Sequence, residues 1–163
     1  MMQQKVTIFT DGSCLQPTPQ AGDGPGGYGA IVRIGSTQSE YSAGYTLTTN
    51  NRMELMAVIR ALAELREPSD VEINTDSQYV KRGISEWVGK WQENNWHTSA
   101  RKPVKNQDLW KRLMDLCSGH QITWHWIKGH DGHPENERCD QLAREAAGGS
   151  ELLSDEGYHP HGG

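Results

Sequence analysis

Alternating hydrophobic and polar residues predict five β-strands in this chain, and the segments between them predict four helices. Alternation with period two is typical of a half-buried strand. The predicted strands span residues 5–10, 28–34, 39–46, 71–76 and 121–127. The predicted helices span residues 53–65, 78–90, 106–117 and about 134–147. This order, three strands, helix, strand, helices, strand, helix, indicates an α/β fold in which a mixed sheet carries helices on both faces.

Local signals refine this outline. The turn around Gly35 and Ser36 favours an antiparallel pair between the second and third strands. The helix over 53–65 is apolar nearly all round, so we expect it to be buried against the sheet. A chain of 163 residues is the length of one domain, which we assign to residues 1–147. The tail over 148–163 is rich in Gly, Ser and acids without periodicity, and we expect it to be loosely ordered.

Composition excludes several classes of protein. No apolar run approaches the ~18 residues that a membrane-spanning helix needs, so no membrane partner is expected. The N-terminal residues lack the apolar stretch of a secretory signal. The three cysteines, Cys14, Cys117 and Cys139, are odd in number and far apart, which favours a reducing compartment, the cytoplasm, over a disulfide scaffold. The chain has no Cys-x-x-Cys motif, so a zinc-thiolate site is not expected.

Charge is distributed unevenly along the chain. The net charge of −5 argues against a nucleic-acid partner, but residues 81–112 hold eight Lys and Arg against three Asp and Glu, a local net charge of +5. The same stretch carries four of the six tryptophans. Cations interleaved with aromatic rings are typical of a surface that follows phosphates and stacks on sugars or bases. The alternative is a solvated pair of helices whose tryptophans point into the core.

Four acidic residues lie where such a fold could gather them. Asp11 ends or lies within the first strand, Asp76 ends the fourth, Glu54 opens the buried helix and Asp140 lies inside the last helix. Neighbouring parallel strands would bring Asp11 and Asp76 together. Clustered carboxylates repel one another, so the cluster is reasonable if divalent cations neutralise it, Mg²⁺ first and Mn²⁺ next. Two such ions ~4 Å apart can hold the attacking and leaving oxygens of a phosphoryl displacement. The alternative is that each strand-end Asp is an ordinary turn or cap residue.

Four ordered motifs then resemble bacterial type 1 ribonuclease H. They are Phe9-Thr10-Asp11-Gly12-Ser13-Cys14, Thr48-Thr49-Asn50-Asn51-Arg52-Met53-Glu54-Leu55, Thr75-Asp76-Ser77-Gln78-Tyr79-Val80, and Trp126-Ile127-Lys128-Gly129-His130 followed by Asn136-Glu137-Arg138-Cys139-Asp140. Lys102-Pro103-Val104-Lys105-Asn106 also matches, and the resemblance runs from about Lys5 to Ala147. It implies a ribonuclease H-like fold and endonucleolytic hydrolysis of the RNA strand of RNA–DNA hybrids, leaving 5′-phosphate and 3′-hydroxyl ends.

The resemblance also implies roles for individual residues. Asp11, Glu54, Asp76 and Asp140 would bind two Mg²⁺ ions, and His130 would assist proton transfer and product departure. Cys14, Asn50 and Gln78 would contact RNA, whose 2′-hydroxyl distinguishes it from DNA. Thr49 and Asn106 would grip a DNA phosphate, and Trp87 and Trp91 would line the channel for the DNA strand. The basic segment 81–112 would be the substrate-binding protrusion. Phosphate contacts do not identify bases, so little sequence preference is expected from a monomer acting on hybrids.

Three features depart from the family pattern. The Gly/Pro loop over 16–27 is several residues longer and lacks the usual asparagine, Leu47 stands where an arginine often supports the phosphate pocket, and the protrusion is less basic than in many relatives. We hypothesise that these departures weaken hybrid binding and leave the chemistry intact. Two other functions remain open: a catalytically weak hybrid-binding module, which would have no reason to keep the acids together, and another nuclease of the same fold, which should lack the Trp-bearing basic segment.

Overall fold

A five-stranded sheet with the strand order β3-β2-β1-β4-β5 forms the centre of the molecule. The computed structural model describes residues 3–128 and 133–160. The strands are β1 Gln4–Cys14, β2 Asp23–Ile34, β3 Thr37–Thr49, β4 Ser69–Thr75 and β5 Gln121–Trp126. The helices are α1 Asn50–Ala63, α2 Gln78–Arg82, α3 Val88–Glu93, α4 Gln107–Ser118 and α5 Pro134–Ala147. The prediction of a five-stranded mixed sheet flanked by helices is confirmed.

The sheet is antiparallel on one side and parallel on the other. β1 pairs with β2 and β2 with β3 in antiparallel fashion, whereas β1 pairs with β4 and β4 with β5 in parallel. Pairing of Phe9 with Asn74 sets the register between β1 and β4. Two residues farther along, this register places Asp11 level with Asp76. The topology therefore brings two of the predicted acids to one edge of the sheet.

Helix α1 provides most of the core on one face of the sheet. Thr49 caps its start, and the Thr49 hydroxyl accepts a hydrogen bond from the backbone N–H of Arg52 at 3.2 Å. As its apolar sequence predicts, most of the helix is buried. Helix α5 covers β1 and β2 on the sheet. It approaches closely because Gly29 of β2 has no side chain: a Cβ there would lie 2.3 Å from the carbonyl oxygen of Cys139.

Several elements extend beyond the predicted bounds. β1 continues to Cys14 and β2 begins at Asp23, because the pairing continues as far as Cys14 opposite Gly26. The loop between β1 and β2 therefore contains fewer residues than the sequence predicts. The single helix predicted over 78–90 is divided into α2, a π-helical turn at Gly83–Trp87 and α3. The side chain of Trp110 in α4 is fully buried, so this tryptophan points into the core.

Residues 153–158 of the tail that the sequence predicts to be loosely ordered make specific contacts with the rest of the domain. Leu153 forms a parallel bridge with Tyr45 of β3, in which its N–H donates to the Gly44 carbonyl at 2.8 Å. The Asp155 side chain is 1% exposed and pairs with Arg52. Local sequence gave no sign of these contacts, because their partners lie about 100 residues earlier in the chain.

No helix within the described residues is both long enough and apolar enough to span a bilayer.

Candidate active site

Three carboxylates from three different elements meet at the edge of the sheet. Asp11 of β1, Glu54 of α1 and Asp76 after β4 each place a carboxylate oxygen within 4.8 Å of the other two. They are separated by up to 65 residues in sequence, and the parallel pairing of β1 with β4 brings the two aspartates together. The structure thus assembles three of the four acids that the sequence analysis selects.

Glycine at position 12 allows α1 to carry Glu54 up to β1. A Cβ on Gly12 would lie 2.6 Å from the backbone nitrogen of Glu54 and 2.7 Å from the carbonyl carbon of Met53. Real Cβ atoms do not approach backbone atoms that closely, so any other residue would push the helix away. The absence of one side chain therefore sets the distance between two of the acids. The Gly12 N–H also donates to Asp11 Oδ1 at 2.9 Å.

Asp11 and Glu54 resist ionisation in this cluster. Burial, reinforced by the charge of Asp76, raises the pKa of Asp11 to about 7 against the opposing hydrogen bond from Gly12. Burial, followed by the charges of Asp11 and Asp76, raises the pKa of Glu54 well above its usual range. Glu54 is only 5% exposed, so little water reaches it. Burial and the neighbouring carboxylates thus both oppose the ionisation of Asp11 and Glu54.

The donor set fits a hard divalent cation. Oxygen atoms are the only ligands that the three residues offer, which favours Mg²⁺ or Mn²⁺ over zinc. The Glu54 Oε2 atom is buried without a hydrogen-bond partner in the described part of the chain. A buried carboxylate oxygen without a partner is costly, and metal coordination would satisfy it. The cluster is therefore a candidate metal centre.

Asp140, the fourth predicted acid, stands apart from this trio. Asp140 of α5 is not one of the clustered acids; its carboxylate pairs with Arg144 one helical turn away, at 3.1 Å. It is nevertheless close enough for its charge to contribute to the raised pKa of Asp11. His130 lies outside the described residues.

The residues predicted to contact RNA lie at element ends around the acids. Cys14 ends β1, and its Sγ lies 3.7 Å from the Thr48 carbonyl oxygen. Asn50 and Gln78 are exposed first residues of α1 and α2. Each of these residues lies two to four positions along the chain from one of the three acids.

The predicted phosphate pocket has a supporting network that the sequence analysis missed. Asn106 has a left-handed backbone with φ of 59°, and its Oδ1 accepts a hydrogen bond from Arg52 at 3.2 Å. Its Nδ2 donates to the Tyr79 hydroxyl at 3.0 Å, and Trp110 Nε1 donates to the same hydroxyl at 2.9 Å. The sequence signals were the positions of Arg52 and Tyr79 inside quoted motifs. Thr49 and Asn106 line one open cavity of about 730 Å³.

Tryptophans form a continuous row in the basic segment. Trp87 and Trp91 are half-buried, with ring centroids 5.7 Å apart, and Trp91 lies 5.7 Å from the buried Trp110. Arg82 lies 5.1 Å above the Trp87 ring. Trp110 belongs to the core, as the alternative interpretation expects, whereas Trp87 is partly exposed beside a cation. The interpretation of the segment as a substrate surface stays a prediction.

The sequence matches the RNase H family model over residues 3–148. Among curated proteins, it is 56% identical over 153 residues to the ribonuclease H of Pseudoalteromonas atlantica, which covers 94% of this chain and 97% of that protein. It is 54% identical over 159 residues to the ribonuclease H of Aeromonas hydrophila, covering 98% and 100% of the two chains.

Solved structures agree with these matches. LC9-RNase H1, described as a type 1 RNase H with the type 2 active-site motif, superposes with a TM-score of 0.80 at 31% identity, over 93% of this chain and 75% of that one. The N-terminal RNase H domain of a Mycobacterium tuberculosis protein superposes with a TM-score of 0.63 at 26% identity, over 88% and 94% of the chains.

Proposed function

The chain belongs to the ribonuclease H family and hydrolyses the RNA strand of RNA–DNA hybrids, and on this basis we propose how its residues divide that work. The observation that carries the proposal is the cluster of Asp11, Glu54 and Asp76, whose carboxylate oxygens lie within 4.8 Å of one another. The family is metal-dependent, and an acidic cluster of this kind suits a divalent cation.

We propose that Asp11, Glu54 and Asp76 hold Mg²⁺, with Mn²⁺ as the next choice, and that Asp140 completes the ligand set for a second ion. When bound, such ions polarise the scissile phosphate, activate the attacking water and neutralise charge on the leaving oxygen. The side chains serve as rigid ligands, since Glu54 is buried and Asp11 accepts a hydrogen bond from Gly12. His130 is the proposed proton carrier, because an imidazole changes protonation state near neutral pH.

Substrate selection is proposed to come from the two strands of the hybrid separately. Cys14, Asn50 and Gln78 contact the RNA strand near the scissile bond, where the 2′-hydroxyl distinguishes RNA from DNA. Thr49 and Asn106 grip a phosphate of the DNA strand. Trp87 and Trp91 line its channel, which the partly exposed Trp87 beside Arg82 supports. Contacts to phosphate and sugar leave base sequence undetected, so cleavage shows little sequence preference and leaves 5′-phosphate and 3′-hydroxyl ends.

We further propose that the protein acts in the cytoplasm as a monomer. All three cysteines are free thiols, which suits a reducing compartment. The clustered acids and the proposed phosphate pocket both come from a single chain, so the reaction needs no second copy.

The test is cleavage of labelled RNA–DNA, RNA–RNA and DNA–DNA duplexes with Mg²⁺ and with chelator. We expect cleavage of the RNA strand of the hybrid alone, and only with the metal. Asp11→Asn and Asp76→Asn should each abolish cleavage and leave hybrid binding largely intact. Asp70→Asn is the matched control, because Asp70 lies at the opposite end of β4 from Asp76 and should keep full activity. Turnover within about tenfold of wild type in either site variant would reject the ligand assignment.

A further inference from the structure

A short segment after α5, here called the strap and defined as Leu153–His159, crosses the molecule beside the proposed phosphate pocket. Backbone hydrogen bonds join it to β3: the Leu153 N–H donates to Gly44 at 2.8 Å, and the Leu153 carbonyl accepts from the Thr46 N–H at 2.9 Å. None of the functional roles assigned above involves this segment. Its position therefore raises the question of what it contributes.

Asp155 is the polar anchor of the strap. Its carboxylate accepts hydrogen bonds from Arg52 Nε at 2.7 Å, from Arg52 Nη2 at 3.0 Å and from the Thr48 hydroxyl at 2.7 Å. The side chains of Asp155 and Arg52 are 1% and 2% exposed. A buried, bidentate Arg–carboxylate pair has one well-defined geometry, and removing the Asp155 charge weakens the hold on the Nε side of the arginine.

Arg52 passes this constraint on to Asn106. Its Nη1 donates to Asn106 Oδ1 at 3.2 Å, and the same guanidinium pairs with Asp108 at 2.7 Å. Two carboxylates face the one guanidinium, so Arg52 offers little positive charge to a ligand and serves to orient its neighbours. Asn106 has a left-handed backbone, which asparagine adopts more readily than most residues, and its side chain is held by hydrogen bonds from Arg52 and to Tyr79.

The far end of the strap closes one side of the pocket. Tyr158 and His159 line the 730 Å³ cavity together with Thr49 and Asn106. The Tyr158 hydroxyl donates to Asp23 Oδ2 at 2.7 Å, which connects the strap to the start of β2. Burial and the hydrogen bond to Asp23 raise the pKa of Tyr158 to about 12, so this hydroxyl remains a donor at neutral pH.

We propose that the strap is a positioning element of the grip on the DNA strand: Asp155 fixes Arg52, Arg52 fixes Asn106, and Tyr158 holds the strap against the pocket. The inference rests on the proposed role of Thr49 and Asn106 as the phosphate grip. Asp155 and Tyr158 are positioning residues and not catalytic residues, since neither touches the clustered acids. They act on KM and leave kcat unchanged.

The experiment combines variants of the strap with substrates that lack one charge. Hybrids carry a single neutral methylphosphonate at successive positions of the DNA strand, and KM and kcat are measured for each. For the wild type, we expect one position at which the substitution raises KM about tenfold, the effect of losing one charge-assisted hydrogen bond. Asp155→Asn should raise KM about tenfold on the unmodified hybrid with kcat unchanged, and should be nearly insensitive to the methylphosphonate.

The matched control is Glu156→Gln, which makes the same charge change at the adjacent, exposed residue. This variant should retain the wild-type KM and the full sensitivity to methylphosphonate. Melting curves verify that each variant is folded at the assay temperature. If Asp155→Asn is not folded, Tyr158→Phe is tested instead, because this variant loses one hydroxyl and keeps the ion pair between Asp155 and Arg52. We expect Tyr158→Phe to have a two- to threefold higher KM and a reduced sensitivity to the methylphosphonate.

The outcomes separate the two proposals. A folded Asp155→Asn variant that loses as much affinity from the methylphosphonate as wild type overturns the role of the strap and leaves the phosphate grip standing. If Tyr158→Phe is the variant tested, a wild-type KM together with wild-type sensitivity to the methylphosphonate also overturns the role of the strap. A wild-type enzyme with no sensitive position in the DNA strand overturns the grip itself and the strap with it. Failure of the wild type to cleave hybrids would instead refute the proposed function.

Discussion

Replacing Asp11 with asparagine should stabilise the metal-free protein while abolishing its activity. The substitution keeps the shape of the side chain and removes the charge that burial and Asp76 make unfavourable. The gain in stability should depend on pH, because a protonated Asp11 in the wild type carries no charge and so avoids the cost of a buried charge. Activity and stability are therefore expected to change in opposite directions at a single residue.

The structure sets the size of this effect. The pKa of Asp11 rises from its ordinary 3.8 to about 7 in the folded protein. Between these values the folded state binds more protons than the unfolded state, so the stability of the wild type falls as the pH rises through this window. Each pKa unit corresponds to ~1.4 kcal/mol, so the total loss is ~4 kcal/mol once Asp11 is fully ionised. About half of this loss of stability, ~2 kcal/mol, occurs between about pH 5.5 and 8.5.

The assay is urea unfolding of wild type and Asp11→Asn in chelator at these two pH values. We expect the difference in unfolding free energy between the variant and the wild type to be ~2 kcal/mol larger at the higher pH than at the lower. Adding Mg²⁺ should then stabilise the wild type, since a ligand that binds only the folded state stabilises it, and should have little effect on the variant. A stability difference that is equal at both pH values would refute the argument from burial and charge repulsion.

Three further predictions follow from the packing and the charge distribution. Gly12→Ala should abolish most activity and lower stability by ~1–3 kcal/mol, because the new Cβ would displace the backbone at Glu54; activity against Mg²⁺ concentration and a melting curve check this. Gly29→Ala should lower the melting temperature, because the new Cβ would push α5 away from β2, but the turnover of the folded enzyme should be unchanged. Gly89 of α3 has open space around it, so Gly89→Ala should stabilise the protein by ~0.5–1 kcal/mol. KM should rise less steeply with salt than for a relative with a more basic protrusion, and an equally steep slope would contradict the hypothesis of weakened hybrid binding.

The sequence by itself determined the elements and the identity of the candidate acids. Period-two alternation marks β1, β4 and β5 because one face of each strand is more buried than the other, and this pattern is local. The strand order places two acids at strand ends, and the start of the buried helix adds Glu54. Strand bounds were less predictable: β1 continues through Gly12 to Cys14 because β2 pairs with it, which alternation cannot indicate.

Only the tertiary structure decided how these residues come together. Parallel pairing in a fixed register and the close approach at Gly12 bring Glu54 together with Asp11 and Asp76, whereas Asp140 pairs with Arg144 outside the trio. The strap had no sequence signal at all. Asp155 pairs with Arg52 across 103 residues, and the energy of a buried ion pair depends on geometry and loss of water, which exist only once the chain has folded.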